Sequence, residues 1–198
     1  WLDKLASRAL RIGQLVEVEE IADIPNHTAR LRAALQDLAR LVMDVYGEQL
    51  RAPLPGQRSF NSSMPTRARV SGGLLPDALV EPLGQAAHHA GGFLQALSAI
   101  AKALKSEMRG KPDEARRLSQ LYAQIGSLAP RLEGVHACAQ LLLQDAPEGA
   151  VPAAKWFTLQ VTAPEKDGKV FARAKTLLQH PDFTLRTPNR ARSLLMAL

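Results

Sequence analysis

The chain has 198 residues, enough for one domain or a domain with an appendage. With 46% hydrophobic and 22% charged residues it is composed as a folded globular protein, and 5% aromatics with abundant Leu and Ala speak for helices packed through aliphatic ridges and against a β-sandwich. The net charge of +6 is uneven: Arg51 to Gly72 holds four arginines and no acid, and Lys155 to Leu198 is net +5.

From Trp1 to Ala22, Leu2, Leu5, Ala9, Leu10 and Ile12 recur at helical spacing, and the alternating Val16-Glu17-Val18-Glu19 sits in that helical context. Pro25-Asn26 breaks the pattern, and Asn26 or Thr28 is placed to cap the next helix. That helix carries Leu31, Leu35, Leu38, Leu41, Val42 and Val45 in steps of three and four, a stripe that buries one face. Residues 51–76 then bring Pro53, Pro55, Gly56, Pro65, Gly72, Gly73 and Pro76, which predict a long loop. An acid-free loop suits a polyanion and equally a solvated surface segment.

Pro76-Asp77 opens a helix with Leu79, Leu83, Ala86 and Ala90 on one side, which Gly91-Gly92 bends or ends. A second helix continues through Leu94, Leu97, Ile100 and Leu104 to Gly110-Lys111-Pro112. The next presents Leu118, Leu121, Tyr122, Ile125 and Leu128, with Pro130 expected to kink or divide it before Leu132, Val135, Ala139 and Leu142. Ala146 to Pro152 reads as a linker. Lys155 to Val161 fits either a short strand or the start of a helix, Gly168 to His180 a helix, and Thr187-Pro188-Asn189-Arg190 the start of a last helix. The fold class expected is all-α: an antiparallel helical bundle over residues 1–150, with its Pro/Gly/Arg loop at 51–76, and a linker with a small helical appendage over 151–198.

Chemistry-bearing patterns are sparse. The single cysteine, Cys138, excludes an internal disulfide and a cysteine-ligated zinc or iron–sulfur site within this chain, and it reads as a small buried hydrophobe in a reducing, cytoplasmic setting. There is no GxxxxGK phosphate loop, GxGxxG fingerprint, HExxH zinc motif or GxSxG elbow. His88 and His89 are adjacent, which turns their rings about 100° apart on a helix and away from shared ligation. His27, His136 and His180 have no Cys or carboxylate at ligand spacing. No catalytic, cofactor or metal residue is therefore expected. No apolar run reaches the about 18 residues of a membrane-spanning helix. Trp1 in place of an initiator Met and the apolar Leu195-Met196-Ala197-Leu198 predict a piece of a longer polypeptide.

Two family resemblances follow. Over residues 1–157, the helix through Leu31, Val42 and Tyr46, the run Arg69-Val70-Ser71-Gly72-Gly73-Leu74-Leu75-Pro76-Asp77, then Phe93-Leu94-Gln95-Ala96-Leu97, Ala115-Arg116-Arg117-Leu118 and Pro152-Ala153-Ala154-Lys155-Trp156 resemble in their order the helical arch of DinG-type DNA helicases. That resemblance implies a non-catalytic part of an ATP-dependent helicase, whose ATP and Mg belong to the motor it would pack against. It also implies single-stranded DNA as a partner, with Arg58, Arg67 and Arg69 as the nucleic-acid-binding residues. Over residues 155–198, Lys155-Trp156-Phe157-Thr158-Leu159-Gln160, Leu177-Leu178-Gln179-His180-Pro181-Asp182-Phe183-Thr184 and Pro188-Asn189-Arg190-Ala191-Arg192-Ser193-Leu194-Leu195 are similar to the C-terminal helical domain of bacterial aminopeptidase N, a zinc peptidase. The two together predict a junction at about Lys155 to Gln160. The alternatives to the helicase reading are a non-catalytic aminopeptidase portion or a helical interaction scaffold.

Overall fold

The computed structural model describes residues 1–51, 66–159, 182–187 and 190–196. Four long helices dominate and place the chain in the all-α class: α1 (Leu2–Gln14), α2 (Ile24–Arg51), α3 (Asp77–Gly110) and α4 (Ala115–Leu143). A small antiparallel sheet joins them, built from β1 (Thr66–Arg69), β2 (Ala154–Leu159), β3 (Asp182–Thr187) and β4 (Arg190–Met196) in that spatial order. The chain divides into two compact units, Trp1–Ala34 with Gln85–Ala137 and Leu35–Gly84 with Cys138–Leu198.

In the first unit, α1 buries Leu2, Leu5, Ala6, Ala9 and Ile12, the face that the spacing predicts. The helix stops at Gln14 and does not run to Ala22. Glu17 takes a left-handed φ of 51°, which a helix interior does not tolerate, and a 3-10 turn over Glu19–Asp23 follows. Gly13 lies against Ile100 and Ile21, and an added Cβ would run into the Ile21 side chain. Asp3 pairs with Arg32, and the Arg131 guanidinium lies 4.2 Å over the Trp1 ring, tying α1 to α2 and α4. Pro25 falls inside the first turn of α2, where a missing N–H costs nothing, and so does not break it. Thr28 is not a cap: its hydroxyl donates to the Ile24 carbonyl at 2.7 Å.

Gly91-Gly92 does not end α3, which runs unbroken for 34 residues. The glycines serve close packing instead. The His136 ring sits against Gly91, and a Cβ on Gly92 would strike the His27 ring. Likewise α4 continues through Pro130 for 29 residues. Lys111 and a 3-10 turn over Pro112–Glu114 separate the two helices, and His136 Nδ1 lies 2.7 Å from the Ala87 carbonyl, so α3 and α4 form an antiparallel hairpin. Its core holds Phe93, Leu97, Ile100, Leu104, Ile125 and Leu132, all buried, whereas Tyr122 is exposed.

In the second unit, α2 buries Leu35, Leu38, Val42, Tyr46 and Leu50; Val45, expected on that stripe, is exposed. Steps of four and four from Leu38 pass over Val45 and land on Tyr46. Cys138 is fully buried, and burial pushes its thiol up to about 12. The predicted loop is corrected at its end, where Thr66–Arg69 is a strand; residues 52–65, with Arg58, lie outside the described residues. Gly72 and Gly73 then turn the chain with φ of 62° and 71°, and a Cβ at Gly73 would meet the Ala153 carbonyl at 2.9 Å.

Residues 154–159 form a strand, one of the two options that the sequence left open. The helix expected over Gly168 to His180 lies outside the described residues. The helix expected from Thr187 is corrected: Arg190–Met196 is β4, with Leu185 opposite Leu194 and Thr187 opposite Arg190. The preceding β3 alternates Phe183 and Leu185 with Thr184 and Arg186, a period of two that suits a strand.

Candidate functional site

The sheet in the second unit gathers the charged residues of this region. β1 pairs with β2 so that Arg69 stands opposite Trp156, Arg67 opposite Thr158 and Ala68 opposite Phe157. Side chains alternate across a strand, which sends Ala68, Phe157 and Lys155 to one face and Arg67, Arg69 and Trp156 to the other. The first face is interior: Ala68, Phe157 and Lys155 are buried, and Phe157 stacks at a tilt on Tyr46 of α2 with centroids 5.3 Å apart.

The second face opens on a cleft of about 330 Å³ lined, among the described residues, by Arg67, Arg69, Ala154 and Trp156. Arg67 and Arg69 are both exposed, and the Arg67 guanidinium lies 5.9 Å from the Trp156 ring centroid, within cation–π range. Neither arginine makes an ion pair with a carboxylate of the described residues. Two guanidinium groups beside an indole offer an anion two forked donors and offer a planar group a stacking surface. Two of the three arginines expected to share a function thus stand together on β1; the third, Arg58, lies outside the described residues. Trp156 completes the set, and sequence reading missed it as a site residue because only the pairing register brings it beside Arg69.

Lys155 is the unusual group behind that cleft. Its amine is buried, without a hydrogen-bond partner among the described residues, and 3.9 Å from the exposed Asp145 carboxylate. Burial holds its pKa below the ordinary lysine value, with Asp145 pulling the other way.

In the first unit, His27 meets His88 and His89, with centroid distances of 6.3 and 5.4 Å. His27 and His89 stand 62 positions apart in the chain, and no local spacing signals their meeting. No group of three or more His, Cys, Asp or Glu side chains among the described residues could hold a metal ion. The Nδ1 atoms of His27 and His89 face each other at 3.2 Å and not a common centre. No helix among the described residues is long and apolar enough to cross a membrane.

Comparison with known proteins gives one family. A domain of unknown function, DUF3458_C, described by ARM repeats, matches residues 93–198. It is the C-terminal domain of aminopeptidase N-like proteins. No curated protein and no solved structure matches. The match agrees with the second resemblance and extends it: it begins within α3, takes in all of α4, and passes through Lys155 to Gln160 without a break. The matched range spans the point where a junction is expected, and the helicase resemblance gains no support. The zinc of aminopeptidase N-type peptidases does not fit the residues present, since the sequence lacks an HExxH motif.

Proposed function

The chain belongs to the DUF3458_C family of ARM-repeat domains, and from that premise we propose that it serves as the non-catalytic, helical C-terminal portion of an aminopeptidase N-like protein. The observation that carries this reading is the family match over 93–198, which takes in the second half of α3 and the whole of α4. ARM-type domains stack helix pairs, each burying its stripe against the next, and their role is to hold a surface in place. The α3–α4 hairpin has the one-sided stripe such stacking needs, with Phe93, Ile100, Ile125 and Leu132 inside. The chain's own residues would then pack and position while the zinc chemistry stays on other parts of the protein.

A domain exchange tests this. In an aminopeptidase N-like enzyme, the segment that corresponds to residues 93–198 is replaced by this chain's residues. A folded graft with zinc-dependent hydrolysis of aminoacyl anilides supports the reading. Loss of folding and activity, with the parent enzyme active in parallel, counts against it.

A second reading keeps single-stranded DNA as a partner and rests on a different observation, the Arg67–Arg69–Trp156 face. Arginines that meet phosphates and an indole that stacks a base are the elements of sequence-independent single-strand binding. Fluorescence anisotropy with a labelled oligothymidine at about 50 and 200 mM salt decides it. The reading expects binding that weakens with salt and is lost in the Arg67→Ala/Arg69→Ala variant. Equal signals from both proteins rule it out.

A further inference from the structure

The histidines of the first unit form a contact with a chemical constraint of its own. His27 of α2 and His89 of α3 bring their Nδ1 atoms to 3.2 Å, a hydrogen-bond distance. His89 is 9% exposed, His27 is half-buried, and His88 beside them is exposed. The approach depends on Gly92, whose missing Cβ leaves the space that the His27 ring fills. From α4, His136 faces the same stretch of α3 at Gly91, and its Nδ1 donates to the Ala87 carbonyl at 2.7 Å.

An Nδ1–Nδ1 hydrogen bond needs one ring to carry the proton and the other to present a lone pair. Two neutral rings satisfy this with the right tautomers, and one imidazolium with one neutral ring satisfies it as a charge-assisted bond. Two imidazolium rings cannot, because two N–H groups and two positive charges would then point at each other. We propose that the His27–His89 contact is an acid-sensitive latch between α2 and α3, closed while a single Nδ1 proton lies between the rings and opened when both rings are protonated.

The groups around His89 favour opening. His88 on its own helix and His27 and Arg30 on α2 act on it, each of them positive or able to become so, and burial adds to their effect. All four causes hold the His89 pKa below the ordinary value of 6.5, burial most of all. On α4, His136 occupies the neighbouring turn at Gly91, with its Nδ1 already committed to Ala87. A base whose folded pKa is lowered stays neutral in the closed form. The latch is therefore intact above about pH 6.5, and its contribution is lost as the pH falls below that value through the lowered folded pKa.

Hydrogen exchange followed by mass spectrometry on the whole 198-residue chain tests this between pH 7.5 and pH 5, after correction for the intrinsic exchange rate. The helical segments around residues 27–34 and 88–96 are predicted to open by up to about tenfold more per pH unit in the acid range, one proton being taken up on opening. In a His27→Asn/His89→Asn variant, whose amides keep a hydrogen bond but do not titrate, the acid-dependent gain should vanish. Imidazole 15N spectra of the unaltered chain give a second readout that needs no variant. They should show a coupled pair whose second protonation coincides with the rise in exchange. Two independent titrations with exchange unchanged at 27–34 and 88–96 would overturn the proposal, as would the same acid-dependent gain in the variant.

Discussion

At the residue scale, Lys155 shows the cost of a misplaced charge. Strand alternation sends its side chain to the interior face with Phe157, and among the described residues the amine reaches only the exposed Asp145, at 3.9 Å. Because burial lowers its pKa, charging the amine costs more in the folded state than in the unfolded chain. The penalty is absent well above the ordinary value of 10.5, grows as the pH falls below it, and is present at neutral pH. Lys155→Met, which keeps the stem and removes the charge, should therefore raise the melting temperature at pH 7, with the gain shrinking towards pH 10.5. A calorimetric scan of both proteins at neutral and alkaline pH checks the sign and its trend. Gly92 is the opposite case, a position where an atom must be missing. Gly92→Ala would drive a Cβ into the His27 ring, and its overpacking cost of about 1–3 kcal/mol should outweigh the better helix propensity of Ala. Urea unfolding reads this directly, and a stability equal to or above the parent's would show that the ring moves aside freely.

At the element scale, the helices were legible wherever apolar spacing was regular. The stripes through Leu2, Leu5 and Ile12, through Leu31, Leu35 and Leu38, and through Leu97, Ile100 and Leu104 all point inward. Boundaries set by Gly and Pro were less legible, because these residues report local preference while packing decides the outcome. Gly91-Gly92 reads as a break yet lies inside α3 against two imidazole rings, and Pro130 reads as a divider yet lies inside α4. Glu17 gave no such signal and nevertheless marks where α1 has ended. The strands were harder still. Thr66–Arg69 is short and polar on one face, and only its pairing with Ala154–Leu159 gives it a buried side. Pro130 offers a test of continuity. It is exposed, it lacks the N–H that would bond the Gly126 carbonyl, and a helix interior pays about 3 kcal/mol for proline. Pro130→Ala should stabilise the chain by some part of that, on the order of 1–2 kcal/mol by denaturant titration. A loss of stability would show that a bend at Pro130 is needed by the packing of α4.

At the scale of the whole molecule, the family was legible in a short tail and obscured in the long bundle. Stripes of Leu and Ala at helical spacing satisfy any helical bundle, so their order over residues 1–157 could resemble a helicase arch without shared descent. The tail strings around Leu177 to Thr184 and Pro188 to Leu195 are less interchangeable, and they point to the family that matches residues 93–198. The candidate site was half legible. Arg67 and Arg69 stand out as cations in an acid-free stretch, but Trp156 and the His27–His89 pair join distant positions that only the fold brings together. A helical portion of an aminopeptidase N-like protein should recognise the catalytic portion from which such domains extend. Sedimentation velocity with this chain and an aminopeptidase N-like enzyme stripped of its own C-terminal domain measures that recognition most directly. A one-to-one complex is the predicted result, and two independent boundaries at tens of micromolar, with both partners folded, would contradict it.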